Sequence, residues 1–471
     1  MTVFSSYIPA RQDFSSPFFD WMDRLSLLFL CLYTAECAVG CSGRWLSFGP
    51  LSIRMILFGC CLLFTFPKVI RQIKDIIRLP YFWILSAFAL VLAVSAFIGL
   101  RNGNNPGFLF ADLTSLLSFA LLPGMLVTIN SRKRLALVIK TLFYSTSLLA
   151  LAAVVLHFTI AFLSVKEVII LNDWINSMAL GGLAKMPTGV QRIYLRSQVF
   201  LQVCLLFGIW MLKTVSSKKE KSLVWVCEIV MLFAFILTYT RGFWLALAFT
   251  ALLFFALFFR YWKHCLKCAG VLALSLIVML GASWAVYQTP SAAVAVLERF
   301  DPSLIVIMPP NPADKPAEPE DGDAFAQAVT LRSETLAQQM RYIGEHPILG
   351  NGLGKNLDGL RTDGKTEYMY QDMWMKTGII GLGLFLLSCF WPSGSLIRRY
   401  WKTPKEERKR LLDWKSAFTQ AVIWNLAVLG VAITSYFNPF LTTPMGILVV
   451  LFAAAAVNLS HQSKSTMEES K

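Results

Sequence analysis

The sequence predicts an all-α, polytopic membrane protein with about twelve spanning helices. Apolar residue types make up 56% of the 471 residues and charged types only 15%, whereas a soluble domain carries roughly 45–50% apolar and about 25% charged residues. The mean hydropathy is +0.59. A soluble enzyme could not hide so much apolar surface, and a disordered chain needs low hydrophobicity together with high charge.

Twelve apolar segments of the chain are long enough to cross a bilayer, which requires about 20 mainly apolar residues. Nine of them belong to a predicted N-terminal bundle at 1–287 and three to a C-terminal set at 378–459, which a polar, disordered tail follows at 460–471. The segments are 22–39, 50–67, 81–99, 113–130, 135–160, 195–214, 222–239, 242–260, 266–287, 378–396, 416–437 and 440–459.

The net charge of +15 is mostly an orientation signal. Lys and Arg collect in alternate loops, as the positive-inside rule requires of cytoplasmic loops. With twelve spans, this pattern predicts cytoplasmic N and C termini and an outer position for residues 161–194, Arg241 and 288–377. The basic loops are also expected to attract anionic membrane lipids. Nucleic acid is not a predicted partner. The basic loops are 68–78, 132–134, 218–221, 260–267 and 397–415.

Neither a metal nor another cofactor is predicted. Most of the ten cysteines fall inside apolar runs, which is typical of reduced packing residues. Cys265-x-x-Cys268 has metal-ligand spacing, but no second ligand pair accompanies it.

The largest predicted outer loop, 288–377, combines a flexible, acidic and proline-rich stretch at 309–323 with a helical part at 324–376. Loops of this length are usually functional or disordered. At about 100° per residue, the first helix carries Arg332 in the middle of an apolar arc. Because a charged group is buried only when paired, Arg332 either snorkels or pairs with an acidic neighbour, or it points at a bound anion. The arc comprises Phe325, Val329, Leu336, Met340 and Ile343.

The segment Glu345–Gly354 follows this helix. Pro347 is predicted to end the helix, and three alternate glycines allow tight turns. The segment is not a dinucleotide fingerprint, since it follows a helix rather than a strand. His346 is either a helix-ending structural residue or a functional one.

A second helix is predicted to begin at Thr366 and to continue into the predicted span 378–396. Glu367 then lies in its first turn, where the helix dipole favours a carboxylate. On this helix Gln371, Trp374 and Gly378 share one face with Glu367.

Four of the arginines on the predicted outer face lie near apolar spans or on an apolar arc, against the orientation rule: Arg192, Arg196, Arg241 and Arg332. A charge beside apolar spans is costly and therefore indicates function. The guanidinium group pairs two phosphate oxygens at once, so we expect a cationic pocket for a lipid-linked phosphate or pyrophosphate. The intramembrane acids Glu36 and Glu228 are expected to pair with a cation or to relay protons.

Together, Arg332 and the segment Glu345–Gly354 resemble the signature of the O-antigen ligase and O-antigen polymerase superfamily, which are polytopic bacterial membrane glycosyltransferases. Lys376–Gly381 and Thr240-Arg241-Gly242 are also similar to family motifs, and the close resemblance covers about 225–395. It implies a GT-C-like, metal-independent, inverting glycosyltransferase of the bacterial plasma (inner) membrane.

The resemblance also implies the substrates and the roles of residues. The donor is a polyprenyl (undecaprenyl) pyrophosphate-linked glycan, and the acceptor is a glycan or is lipid-linked. Arg241 and Arg332 match the arginines that hold the pyrophosphate, and Arg196 or Arg192 would be the third. A base in the outer loop deprotonates the acceptor hydroxyl.

The chain departs from the ligase pattern at one position. Eleven residues before the glycine that matches Gly378, ligases have a histidine, and this chain has Glu367. A glutamate can act as the base, with His346 as the second candidate. The departure favours a polymerase of O-antigen, capsule or exopolysaccharide units over a lipopolysaccharide ligase.

Two other classes of function are considered. A transporter or flippase of lipid-linked or anionic substrates usually has internal repeats, and none is evident here. A scaffold that binds envelope-assembly proteins does not explain the outer arginines.

Overall fold

The computed structural model describes residues 17–43, 45–48, 51–186, 190–288, 291–298, 320–357 and 368–468. Within these ranges the chain forms eighteen α-helices and two β-hairpins. The helices of the first half are α1 (Pro17–Val39), α2 (Ile53–Arg71), α3 (Ile73–Ile77), α4 (Pro80–Arg101), α5 (Pro106–Leu116), α6 (Leu122–Thr128), α7 (Arg132–Ile160), α8 (Val165–Ser177) and α9 (Val199–Thr214). The helices of the second half are α10 (Lys218–Ile236), α11 (Arg241–Leu257), α12 (Trp262–Tyr287), α13 (Ser291–Glu298), α14 (Glu320–Glu345), α15 (Met369–Lys402), α16 (Lys405–Leu411), α17 (Ala417–Thr434) and α18 (Pro444–Glu468).

The helices account for all twelve predicted spans. Eight helical stretches of the described chain are long and apolar enough to cross a membrane, judged by length and composition, and α9 and α11 are apolar but shorter. The other two predicted spans fall on α1 and α10. The chain is therefore an α-helical, multi-pass membrane protein, while the number of twelve spans stays a prediction. The eight stretches are Ile53–Arg71, Pro80–Arg101, Pro106–Thr128, Arg132–Ile160, Phe259–Tyr287, Met369–Lys402, Ala417–Ser435 and Pro444–Gln462.

Two antiparallel hairpins depart from the predicted all-helical fold. Strands β1 (Ser47–Phe48) and β2 (Leu51–Ser52) join α1 to α2, and β3 (Gly181–Lys185) and β4 (Gln191–Leu195) lie between α8 and α9. The second hairpin falls in the predicted outer segment 161–194 except for its last residue, Leu195, whereas β2 falls at the start of the predicted span 50–67. In the second one Gly181 pairs with Leu195, and a Cβ atom at Gly181 would come within 2.0 Å of a backbone oxygen on β4.

Helices α17 and α18 occupy the centre of the bundle. In each, 89% of the membrane-spanning window is buried inside the protein, compared with 17% for α4 and 11% for α12. Trp424 of α17 is fully buried, with its ring centroid 5.0 Å from that of Phe452 on α18. The alanine run 453–456 of α18 is also buried, and such small side chains allow close helix packing in membranes.

The two predicted intramembrane acids differ in their surroundings. Glu36 pairs with Arg54, whose Nε lies 2.6 Å from a carboxylate oxygen. Glu228 is fully buried and packs against Gly208, and among the described residues neither of its carboxylate oxygens has a hydrogen-bond partner. The pairing expected for the two acids therefore holds for Glu36 alone.

The predicted helix at 324–345 is present as α14, and its buried face agrees only in part with the predicted apolar arc. Ile343 of the arc is buried, together with Thr335, Gln339 and Tyr342, whereas Met340 is 49% exposed. Arg332 is exposed rather than centred on a buried stripe. The helix packs on α15, and this contact selects a face that is partly polar. The apolar residues alone therefore did not indicate the whole buried face.

Helix α15 begins at Met369 with Tyr368 as its N-cap, later than the sequence predicts. Thr366 and Glu367 lie outside the described residues. The helix is interrupted at Gly378, where φ is 70° and ψ is 179°. The helix therefore changes direction at this glycine and does not run straight into the predicted span 378–396.

Candidate functional site

The glycine-rich turn at 347–354 packs into the kink of α15. The amide of Ile379 donates to the carbonyl of Pro347 at 2.9 Å, and the amide of Gly352 donates to the carbonyl of Lys376 at 3.0 Å. A Cβ atom at Gly378 would lie 1.9 Å from the carbonyl oxygen of Ile348. The turn thus supplies hydrogen bonds to backbone groups that a regular helix would satisfy internally.

Helix α4 closes the other side of this turn. The Ser95 hydroxyl donates to the carbonyl of Lys376 at 2.8 Å, and the Ser95 carbonyl accepts from the amide of Leu353 at 3.0 Å. The Asn104 side-chain amide donates to three successive carbonyls of the turn, those of residues 351–353. The turn is therefore fixed between α4 and α15.

A buried group of three charges lies beside the turn. The ammonium of Lys376 is 3.1 Å from an Asp112 carboxylate oxygen and 3.0 Å from one of Asp372. The second Asp112 oxygen accepts the amide of Gly354 at 3.0 Å. We call these three side chains the Lys376 cluster. Its residues line a small pocket together with Pro439 and Thr442, from the connection between α17 and α18.

The β3–β4 hairpin brings Arg192 to the turn before α11. Its Nε donates to the carbonyl of Thr238 at 2.8 Å, and its terminal nitrogen donates to the hydroxyl of Thr240 at 2.9 Å. Thr240 directly precedes Arg241, the exposed first residue of α11. Two of the four predicted outer arginines are therefore tied to one turn.

The backbone of that turn is strained. Tyr239 has φ of +44° and is almost completely buried, although bulky residues rarely adopt this conformation. Such a conformation costs about 1–3 kcal/mol and persists only where the surroundings enforce it, commonly at functional sites. No local sequence pattern indicates this strain.

The connection between α17 and α18 joins the start of α11 to the start of α15. A Cβ atom at Gly242 would lie 3.0 Å from the ring of Phe437. On the other side, the Tyr436 ring centroid is 6.2 Å from that of Tyr368. Sequence reasoning missed this connection, because Tyr436 and Phe437 were treated as the end of an apolar span.

Residues 227–386 match the family model described as O-antigen ligase. This segment is similar to the O-antigen ligase family. The match confirms the resemblance to the O-antigen ligase and polymerase superfamily and supports a glycosyltransferase-type enzyme. It covers about a third of the chain. A comparison with curated proteins gives no match.

The matched segment 227–386 contains several predicted site residues and the Gly-rich turn. Arg241 begins α11, Arg332 is exposed on α14, and His346 is exposed directly after α14. His346 accepts the amide of Gly350 through its carbonyl at 3.0 Å. Glu367, the first candidate for the base, lies outside the described residues.

Other elements of the fold carry the two remaining predicted arginines. Arg196 follows β4, is exposed, and donates its backbone amide to the carbonyl of Leu180 at 3.0 Å. Arg332 belongs to α14, which packs on α15. Of Arg192 and Arg196, which lie at the start of the predicted span 195–214, Arg192 contacts the turn that leads to Arg241. Within the described part of the chain, no group of three or more His, Cys, Asp or Glu side chains is placed to hold a metal ion.

Proposed function

We propose that the protein is an inverting, metal-independent glycosyltransferase that acts on a polyprenyl pyrophosphate-linked oligosaccharide at the outer face of the plasma membrane. The observation that carries this proposal is the attachment of Arg192 to the turn that presents Arg241, within or beside a domain of the O-antigen ligase family. Two guanidinium groups at the start of an apolar helix, one from α11 itself and one from β4, suit a lipid-linked pyrophosphate.

In the proposed reaction, the acceptor hydroxyl attacks C1 of the donor sugar from the face opposite the pyrophosphate. The bond between C1 and the pyrophosphate oxygen breaks, and the hydroxyl proton passes to a base. Arg192 and Arg241, with Arg332 from α14, offset the charge that develops on the leaving pyrophosphate. Arg241 is also the first residue of α11, where the helix dipole favours an anion.

Glu367 is the better candidate for the base. It directly precedes Tyr368 in the sequence, and Tyr368 contacts the α17–α18 connection that touches Gly242. His346 directly precedes Pro347, which accepts a hydrogen bond from the indole of Trp374. Trp374 lies on the order of 10 Å further along α15 than Tyr368. A glutamate at the position of the ligase histidine favours a polymerase of repeat units.

The test uses purified protein and a synthetic polyprenyl pyrophosphate-linked oligosaccharide. We expect the wild type to lengthen or transfer the glycan with release of polyprenyl pyrophosphate, and Arg241→Ala and Glu367→Gln to abolish this while the protein remains folded. Arg101→Ala, at the exposed end of α4, is the control for loss of a charge on the same side. Unchanged turnover in both site variants would contradict the proposal.

Glu228 is the one observation that favours a transporter as a second candidate. A buried intramembrane carboxylate with no hydrogen-bond partner in the described residues is typical of proton-coupled transport sites. In proteoliposomes, substrate-dependent uptake that Glu228→Gln removes would support the transporter. Glycan transfer that survives Glu228→Gln would support the glycosyltransferase.

A further inference from the structure

Three aromatic rings form a continuous patch between the starts of α11 and α15. The ring centroids of Tyr436 and Phe437 are 5.0 Å apart, and those of Tyr436 and Tyr368 are 6.2 Å apart. Tyr436 and Phe437 are each 44% exposed. We call Tyr368, Tyr436 and Phe437 the aromatic patch.

Neighbouring contacts hold the patch in place. The hydroxyl of Ser435, which is fully buried, accepts the amide of Leu441 at 2.9 Å and fixes the turn that carries two of the rings. The hydroxyl of Tyr370 donates to the carbonyl of Ala432 at 2.7 Å, which ties the start of α15 to the end of α17. A rigid surface binds a ligand at a lower entropic cost than a mobile one.

The position of the patch matches the order of groups that the transfer reaction requires. At one side Phe437 contacts Gly242, which follows Arg241, and at the other side lies Tyr368. The reacting sugar must lie between the pyrophosphate that leaves C1 and the base that activates the acceptor. A pyranose ring has one face made mostly of C–H groups, whose partial positive charge is attracted to the negative face of an aromatic ring.

We propose that the aromatic patch is a sugar subsite that binds the C–H face of the pyranose ring carrying the reacting C1. This inference rests on the proposed function. Aromatic residues at a membrane interface often serve as lipid anchors, but these rings contact the elements that carry Arg241 and Tyr368. The lipid-anchor alternative therefore becomes an outcome of the test.

The test compares two ligands, a polyprenyl pyrophosphate that carries the saccharide and one that carries no sugar. For Tyr436→Ala and for Phe437→Leu we expect the affinity for the glycosylated ligand to fall about tenfold, with no change for the sugar-free ligand. Tyr436→Phe keeps the ring and should bind both ligands as the wild type does. Trp284→Leu, at an exposed position of α12, is the control for an aromatic residue away from the patch.

Equal losses for the two ligands, as a lipid anchor would give, or no loss for either ligand would overturn the subsite. Binding of the sugar-free ligand also reports whether each variant is folded. A wild-type protein that transfers no glycan would instead contradict the proposed function. The two failures are therefore distinguishable.

Discussion

The Lys376 cluster offers the sharpest test of how the structure holds the glycine-rich turn. Lys376 is 3% exposed and lies within 3.1 Å of two carboxylates. Lys376→Met keeps the length of the side chain and removes the charge, so that Asp112 and Asp372 remain in a buried site without their cation. Removing one partner of a buried ion pair costs about 3–5 kcal/mol, a large part of the roughly 5–15 kcal/mol that stabilises a typical protein.

The assay is thermal unfolding of the purified protein in detergent. We expect Lys376→Met to unfold at a clearly lower temperature than the wild type. The matched variant also carries Asp112→Asn and Asp372→Asn, which leaves no charge in the cluster. It should recover most of the lost stability, because an asparagine oxygen at 112 can still accept the amide of Gly354.

Two results would refute this reasoning. Either Lys376→Met unfolds at the wild-type temperature, or the triple variant is no more stable than the single one. In the first case the cluster contributes no net stability. In the second case the loss comes from packing of the lysine stem and not from unpaired carboxylates.

Two further predictions concern the kink and the hairpin. Gly378→Ala should lower the unfolding temperature strongly, because the new Cβ would lie 1.9 Å from the carbonyl oxygen of Ile348 at a positive φ. Gly383→Ala should not, because a Cβ there would meet no atom within 4 Å beyond its own stretch of helix, and equal effects would contradict the role of the kink. Arg192→Lys should lower kcat/KM for glycan transfer about 10- to 100-fold, because an ammonium cannot reproduce both hydrogen bonds to Thr238 and Thr240. Wild-type turnover in this variant would show that the hairpin contact does not matter for transfer.

Hydropathy predicted the helical membrane fold because it averages over about 20 residues and does not depend on which helices meet. The face of α14 was predicted only in part, for the opposite reason. The buried residues Thr335 and Gln339 are polar, and only the contact with α15 selects them. A hydrophobic pattern within one helix contains no information about its partner.

The arginines could be chosen from the sequence because their charge conflicts with the predicted topology. Choosing between Arg192 and Arg196 required the β3–β4 hairpin, whose register and docking on the Thr238–Thr240 turn are tertiary features. The contact between Tyr368 and Tyr436 joins positions 68 residues apart. No local pattern indicates a contact over that distance, so the aromatic patch emerged from the structure alone.

The central position of α17 and α18 has a consequence for biogenesis. These helices are translated last among the apolar ones, yet α9, α11 and α15 pack around α17. During insertion, the earlier helices therefore enter the membrane before α17 and α18, against which they finally pack, have been made. The packing of the bundle is complete only after α18 has been translated. A nascent chain arrested before α17 should accordingly be the form that membrane quality-control proteases and chaperones recognise, although it already contains the whole segment 227–386 that matches the O-antigen ligase model.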